Sequence, residues 1–237
     1  MKLKNRYDTE ALCRRMLEHN EGTISVRNQE IAIKKLVVII EAALDLSNKK
    51  GLQAMTLRDL SNASGVSMAG LNAYFDSKVA LVNLILKEVT FAVEEVLSDP
   101  PRDLVEDPVK HLMWLIEAHL RLTEEMLPWF RFSFMEARHL PQPERRMAID
   151  SEELTERYFA QAIQNAQNVG AFRQEVTPYL STLIKPLLQE WYVKRSKHRR
   201  RGVDLGMYIE AVQSFILNSC LPVEQLESKE RTIARTA

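Results

Sequence analysis

Hydrophobic positions recur every three or four residues along most of the chain, which is the spacing of one buried helical face. The clearest case is the run IAIKKLVVIIEAALDLSNKKG, which begins at Ile31 and ends at Gly51. The residues predicted to face inward in this run are Ile33, Leu36, Val37, Ile40, Leu44 and Ser47. No stretch alternates between apolar and polar residues for long enough to indicate a sheet. The pattern therefore predicts an all-α protein.

Two short helices are expected after this long one. Thr56 can cap the first, because Asp59 follows at the position of a capping box. After a turn at Ser64 and Gly65, Ser67 can cap the second. This second helix is predicted to end near Phe75, and its inward residues are Leu71, Tyr74 and Phe75. A long apolar helix then covers 78–97.

The rest of the chain is also predicted to be helical, with connectors marked by Pro and Gly. An extra helix is expected near the N-terminus, in the segment TEALCRRMLEHNEG. Pro128 is expected to break the helix before it, and the basic segment KHRRRGV is expected to be a solvated loop. The later helices are predicted at about 109–127, 143–168, 179–198 and 204–220.

Composition agrees with a folded protein: 46% of the residues are hydrophobic and 27% are charged. Cys13 and Cys220 are far apart and fit neither a disulfide framework nor a metal-ligand pattern, so reduced thiols and a cytoplasmic location are expected. No export signal or membrane-spanning run is visible. Residues 1–78 carry 12 basic and 9 acidic side chains, which is a mild basic bias at the N-terminal end.

The segment from residue 42 to residue 86 resembles the tetracycline-repressor (TetR) family of bacterial transcription regulators. Its matching features are Ala42-Ala43, Gly51, Thr56 with Leu60, Gly65-Val66-Ser67, and Phe75 with Lys78 and Leu81. The resemblance implies an all-α homodimer, with a helix-turn-helix head that binds an operator half-site. It also implies a larger helical body that binds an effector and forms the dimer interface.

The expected organisation follows from this resemblance. Residues 1–30 are an N-terminal extension, and 31–86 are the three-helix DNA-binding head. Residues 87–225 are the ligand-binding and dimerisation body, and 226–237 are a frayed tail. The resemblance implies a ligand-responsive repressor that binds a palindromic operator in double-stranded DNA. The alternative is a helical ligand-binding or adaptor protein on the same fold that has no sequence-specific contact with DNA.

The second short helix of the head would enter the major groove, although it contains no Lys or Arg. Asn72 stands where the family commonly has a Tyr that touches DNA, and its amide can pair with adenine. Met68 and Ala69 can lie against a thymine methyl group, and Gly70 would let the backbone approach the groove. These residues predict operator half-sites rich in A·T pairs.

Phosphate contacts are expected from groups around this helix. Lys78 and Thr56 stand at helix starts, where they can bind a phosphate or act only as caps. Tyr74 can donate to a phosphate or lie in the core of the head. The predicted DNA-binding residues are Thr56, Ser67, Met68, Ala69, Asn72, Tyr74 and Lys78.

The N-terminal extension has two interpretations. Its basic residues can follow the DNA backbone or enter a minor groove. Its apolar residues Leu12, Cys13 and Met16 instead favour a helix packed on the head or on the partner subunit, and we prefer this interpretation. The basic residues concerned are Lys2, Lys4, Arg6, Arg14, Arg15 and Arg27.

The body is rich in aromatic and Met residues between positions 111 and 135, as expected of an effector pocket or of an ordinary core. An apolar or aromatic small molecule would suit such a lining. The predicted ligand-binding residues are Trp114, Glu117, Phe134, Arg138 and Tyr158.

The last two helices can form a four-helix dimer interface or the core of the subunit. The residues concerned are Leu183, Leu187, Leu188, Trp191, Met207, Ile209, Val212, Phe215 and Ile216. The chain has a single Glu-x-x-His motif, at Glu136 and His139, whereas a di-iron bundle needs two. No phosphate loop, nucleophile arrangement or zinc motif is present. We therefore expect no catalytic activity, no metal and no cofactor.

Overall fold

The structure is a computed structural model that describes residues 6–19 and 28–222, apart from the side chain of Arg138. This part of the chain contains twelve α-helices and no strand, so the predicted all-α class is confirmed. The first helices are α1 (Thr9–His19), α2 (Gln29–Lys50), α3 (Leu57–Ser64), α4 (Met68–Leu71), α5 (Lys78–Leu97) and α6 (Arg102–Val105). The others are α7 (Pro108–Glu125), α8 (Leu127–Glu136), α9 (Gln142–Asn168), α10 (Leu180–Val193), α11 (Arg195–Arg200) and α12 (Leu205–Cys220).

Three details differ from the expectation. Pro128 lies in the first turn of α8, where a missing N–H costs nothing, and the preceding helix α7 already ends at Glu125. The helix α11 forms where the sequence suggested a loop. The helix α4 has only four residues, and a turn continues from Asn72 to Tyr74.

The chain divides into two compact units. Among the described residues, unit 1 comprises 6–19, 28–93 and 122–152, and unit 2 comprises 94–121 and 153–222. Residues 122–152, which the sequence suggested would belong to the body, therefore lie in the same unit as the head.

The helix α2 is the central element of the head. Ile33, Leu36 and Ile40 are at most 1% exposed, and Leu44 and Ser47 are also buried, so most of the predicted inward face is confirmed. Val37 is only half-buried, because Ile39 and Ala43 take part in the buried face instead. The Asn28 side chain caps the start of α2, and Gly51 ends it with a φ of 79°, a value that favours glycine.

The N-terminal extension contributes α1, which packs against α2. Leu12, Cys13 and Met16 form its buried face, so the packing interpretation of this segment is confirmed. Arg15 extends the contact to α5, since its guanidinium lies 2.6 Å from the carboxylate of the buried Glu88.

Two more of the basic residues considered for a DNA-binding arm also have partners inside the protein. Arg14 donates to Glu30 at 2.9 Å, and the guanidinium of Arg6 lies 5.7 Å from the centre of the Tyr7 ring. The remaining basic residues, Lys2, Lys4 and Arg27, lie outside the described part of the chain.

Unit 2 has its own core. Phe159, Trp191 and Ile216 are fully buried, and the Trp191 ring stacks on His198 at 5.3 Å between ring centres. The hydroxyl of Tyr208 donates to the carbonyl of Leu187 at 2.7 Å. These contacts join α10, α11 and α12 into one packed group.

Within residues 6–19 and 28–222, no helix is long and apolar enough to cross a membrane. The same residues contain no group of three or more His, Cys, Asp or Glu side chains arranged to hold a metal ion.

Candidate nucleic-acid interface

The start of α3 is held by a reciprocal cap. The N–H of Asp59 donates to the Thr56 hydroxyl at 3.1 Å, and the N–H of Thr56 donates back to the Asp59 carboxylate at 2.8 Å. The Thr56 hydroxyl also donates to that carboxylate, at 2.7 Å. The predicted capping box is therefore confirmed. The Lys50 ammonium, 2.7 Å away, holds the pKa of Asp59 below its ordinary value, with Thr56 as the second cause.

The turn between α3 and α4 is fixed by its own side chains. Gly65 has a φ of 71°, in the left-handed region that favours glycine. The Ser61 hydroxyl donates to the carbonyl of Val66 at 2.7 Å, and the Ser64 hydroxyl donates to the carbonyl of Leu60 at 2.7 Å. These bonds fix the direction in which α4 leaves the turn.

The helix α4 is short, tightly capped and packed against the turn. The Ser67 hydroxyl accepts from the N–H of Gly70 at 3.2 Å. A Cβ atom at position 70 would lie 2.8 Å from Cγ1 of Val66 and 3.3 Å from the Ser67 hydroxyl. Gly70 therefore has a packing role within the head, in addition to any approach of the backbone to DNA.

The two faces of the segment 67–75, which contains α4 and the turn after it, differ in burial. Leu71, Tyr74 and Phe75 are at most 4% exposed, as predicted for the inward face. The opposite face carries the polar and soft side chains that the sequence assigned to base contacts. These exposed residues are Ser67, Met68, Ala69 and Asn72.

Tyr74 belongs to the core of the head. It is 3% exposed, and its hydroxyl donates to the carbonyl of Ala32 on α2 at 3.1 Å. Burial raises the pKa of this hydroxyl. Of the two roles that the sequence left open for Tyr74, the structure supports the core role, and we remove Tyr74 from the predicted DNA contacts.

Lys78 is also used inside the protein. Its ammonium donates to the carbonyls of Leu52, Gln53 and Met55 at 3.0, 3.2 and 3.2 Å. An ammonium has three N–H donors, so these three bonds use all of them. Lys78 thus holds the loop between α2 and α3, and no donor remains for the phosphate contact that the sequence suggested.

Glu136 holds the same loop from the other side. It comes from α8, is 7% exposed, and accepts from the Ser47 hydroxyl at 2.9 Å and from the N–H of Leu52 at 3.2 Å. Sequence reasoning considered Glu136 only as half of an iron-binding motif. The one available signal was an acidic residue at the end of an otherwise aromatic helix.

Arg58 is a second residue that sequence reasoning missed. It lies in the first turn of α3 and is exposed. It makes no hydrogen bond or ion pair with the residues that the structure describes. It is therefore a basic group of the helix-turn-helix that is available to a phosphate.

Residues 39–85 match the family model of the bacterial regulatory proteins of the tetR family. The head of the chain therefore matches the DNA-binding domain of the tetR family. The protein is thus a DNA-binding transcriptional regulator, as the sequence predicted.

Three solved structures have the same fold over most of this chain. The MbdR regulator from Azoarcus sp. CIB is 19% identical, with a TM-score of 0.63 over 79% of this chain and 100% of its own. The regulator PfmR from Thermus thermophilus is 24% identical, with a TM-score of 0.57 over 75% and 93%. A transcriptional regulator from Saccharomonospora viridis, solved with choline, is 20% identical, with a TM-score of 0.58 over 78% and 96%. A comparison with curated proteins found no match.

The predicted effector residues are divided between the two units. Trp114, Glu117 and Tyr158 belong to unit 2, and Phe134 and Arg138 belong to unit 1. Glu117 is paired with Arg121 at 2.6 Å, and Trp114 lies 6.1 Å from the ring of His111. Burial, followed by the charge of Glu94, raises the pKa of Tyr158.

The other two predicted effector residues, Phe134 and Arg138, belong to unit 1. Phe134 is 42% exposed, and the side chain of Arg138 lies outside the described part of the structure. Unit 1 contains a cleft of about 470 Å³ between α1, α2 and α8, and none of the five predicted residues lines it. The role of all five residues in effector binding stays a prediction.

Proposed function

We propose that the protein is a homodimeric, ligand-responsive repressor that binds a palindromic operator through the exposed face of α4. One observation carries this proposal. The side chains of Met68, Ala69 and Asn72 project from the head and make no hydrogen bond to the described residues, whereas the inward side of the same segment is buried. A rigid frame that presents free polar and apolar groups is what base recognition in a major groove requires.

The exposed groups predict which bases are recognised. The Asn72 amide can donate to N7 and accept from N6 of adenine, and the side chains of Met68 and Ala69 can contact the methyl group of thymine. We therefore propose half-sites rich in A·T pairs. Thr56 and Ser67, which cap the N-terminal ends of α3 and α4, would lie near the phosphates. The free guanidinium of Arg58 would lie there as well.

We propose that α10 and α12 form the dimer interface with a second copy of the chain. Leu183, Met207 and Phe215 are 56%, 54% and 60% exposed, which is unusual for large apolar side chains. Met207, Ala211 and Phe215 are spaced by four residues and all lie on the exposed side of α12. Among the other predicted interface residues, Leu187 is half-buried. The remaining ones are buried and serve the core of unit 2: Leu188, Trp191, Ile209, Val212 and Ile216.

A small-molecule effector is proposed to act on unit 2, with Trp114, Glu117 and Tyr158 as its candidate contacts. The solved complex of the Saccharomonospora viridis regulator with choline supports an effector of this size for a protein of this fold. An effector alters repression only if it favours a state in which the two heads of the dimer fit the operator less well.

The operator is tested by selecting genomic duplex fragments with the purified protein and footprinting the selected fragments at several salt concentrations. We expect a protected palindrome. Asn72→Ala should weaken binding most at defined A·T pairs, whereas Arg58→Ala should weaken it at every sequence and reduce the salt slope by about 0.9. Asn165→Ala, an exposed change on α9, is the matched control and should leave the footprint unchanged. Binding without a preferred site would replace this proposal by the adaptor alternative.

The dimer is tested by sedimentation of Phe215→Asp. A charge in the centre of an apolar interface should convert the dimer to a monomer and weaken operator binding. Val169→Asp is the control, since Val169 follows the last residue of α9, is 67% exposed and lies outside the proposed interface. A dimer that survives Phe215→Asp and Met207→Asp together would contradict the assignment to α10 and α12.

A further inference from the structure

The cleft in unit 1 has the size and lining of a small-molecule site. Its volume of about 470 Å³ falls within the usual range of ligand pockets. Its walls come from three helices: Thr9 on α1, the α2 segment around Leu44, and one side of α8. Leu44 and Phe132 supply buried apolar surface, and Leu127, Pro128 and Met135 extend it.

The charged residues of the lining are mostly acidic. Glu41, Asp45 and Glu136 line the cleft, whereas Arg131 is the one basic residue among its lining residues. Asp45 is already paired with Lys49 at 2.7 Å. Two acidic side chains, Glu41 and Glu136, then remain against the single basic side chain of Arg131. This charge balance favours a cationic ligand over an anionic one.

Glu136 gives the cleft a specific recognition group. Its carboxylate is buried and is bonded to the Ser47 hydroxyl and the Leu52 N–H, but no Lys, Arg or His of the described chain forms an ion pair with it. A carboxylate offers about four acceptor positions, and these two bonds leave acceptor capacity unused. Buried charges in proteins are usually paired, so a carboxylate in this state suits a ligand that brings the positive charge.

We propose that the cleft binds a small organic cation, a primary ammonium on an apolar chain. The ammonium would donate to Glu136, and the chain would lie against Leu44 and Phe132. This site is separate from the effector contacts proposed for unit 2, and its lining includes a residue of the N-terminal extension, Thr9.

Occupancy of the cleft would act on the DNA-binding head. The N–H of Leu52 is bonded to Glu136, and the carbonyl of the same residue is bonded to Lys78. A ligand that draws the Glu136 carboxylate toward itself would loosen its bond to the Leu52 N–H, which is one of the bonds that position the loop before α3. This effect on the operator rests on the proposed function, whereas binding in the cleft does not.

Binding is measured by calorimetric titration of the full chain without DNA, with hexylammonium as the probe. Hexanoate and hexanol have the same chain length and serve as the anionic and neutral controls. We expect heat from hexylammonium, little from hexanol and none from hexanoate. Glu136→Gln should weaken hexylammonium binding by about tenfold or more, which is the loss expected for one charged hydrogen bond. Glu18→Gln, an exposed carboxylate on α1 outside the cleft, should bind like the unmodified chain.

Met135→Lys provides an independent test in case Glu136→Gln does not fold. Met135 lines the cleft and is 43% exposed, so the substitution places a resident ammonium there at little cost to folding. It should abolish hexylammonium binding. Equal or tighter binding of hexanoate, no binding of hexylammonium, or binding that survives both variants would overturn the site. Titration of the same probe into the footprinted complex then tests the effect on the operator separately, so a failure there leaves the binding result intact.

Discussion

Lys78→Met separates two roles of a lysine at the start of a helix. In the structure the ammonium bonds to three carbonyls of the loop between α2 and α3. In the role suggested by the sequence it binds a DNA phosphate. Methionine keeps much of the apolar stem of lysine but removes the charge and the donors, so the substitution tests the donors alone.

The expected loss of stability follows from the partners. A hydrogen bond to a charged group contributes roughly 1.5–3 kcal/mol net. Leu52 and Met55 are 4% and 1% exposed, so their carbonyls would lose their partner without gaining full solvation, whereas Gln53 is exposed and can bond to water. Lys78 is itself only half-buried, which reduces the free energy that its hydrogen bonds contribute to stability. We therefore expect unit 1 to lose about 2–4 kcal/mol.

The assay needs a probe that reports on unit 1. Of the three Trp residues, Trp129 lies in unit 1 and is 1% exposed. In a background of Trp114→Phe and Trp191→Phe, its fluorescence follows the unfolding of that unit in urea. Lys87→Met is the control, because Lys87 is an exposed lysine on the same helix and should change the unfolding midpoint little.

Operator binding at several salt concentrations provides the second measurement. The role in the loop predicts lower stability with an unchanged salt slope, measured where the variant is folded. A phosphate contact predicts unchanged stability and a slope reduced by about 0.9. This second result would refute the assignment of Lys78 to the loop.

Three further outcomes are expected. Asp59→Asn should destabilise the head at neutral pH. Because the folded-state pKa of Asp59 is lowered, its contribution is complete above about pH 4 and is lost as the pH falls below that value, so unfolding curves of the variant and the parent should converge in acid. Tyr74→Phe should cost about 0.5–1.5 kcal/mol in urea unfolding through one lost hydrogen bond and leave the operator affinity of the folded protein unchanged, whereas a loss of affinity in the folded variant would restore the phosphate role. Cys13 and Cys220 are buried, which raises the pKa of both thiols, that of Cys220 to about 11. Iodoacetamide at pH 8 should therefore label them only after unfolding, and rapid labelling of the native chain would contradict their burial.

Much of the fold is encoded over short distances along the chain, which is why it could be predicted. The apolar spacing places α2 and α5 within a few residues of their observed bounds. The caps of α3 and α4 involve residues three positions apart, so Thr56 and Ser67 were recognisable from the sequence alone. The family resemblance rests on the same local pattern, and it extends through the turn at Gly65.

The head also shows the limit of local patterns. A lysine at a helix start has the same appearance in the sequence whether its ammonium points to a phosphate or to a neighbouring loop. Lys78 bonds to carbonyls 23 to 26 residues earlier in the chain, and the Tyr74 hydroxyl bonds to one 42 residues earlier. Only the packing of α2 against the later helices brings those partners within reach.

The sequence by itself determined the all-α class, the positions of α2 and α5, the capping box of α3 and the inward face of α4, because each depends on residues within about one or two helical turns. The tertiary structure decided the roles of Tyr74 and Lys78, and it brought Glu136 to the loop before α3. The partners of Glu136 are 84 and 89 residues away, and no periodic pattern relates positions at such a separation. Whether Glu136 reaches Ser47 and Leu52 depends on how α8 packs against α2, and this packing is a property of the assembled unit.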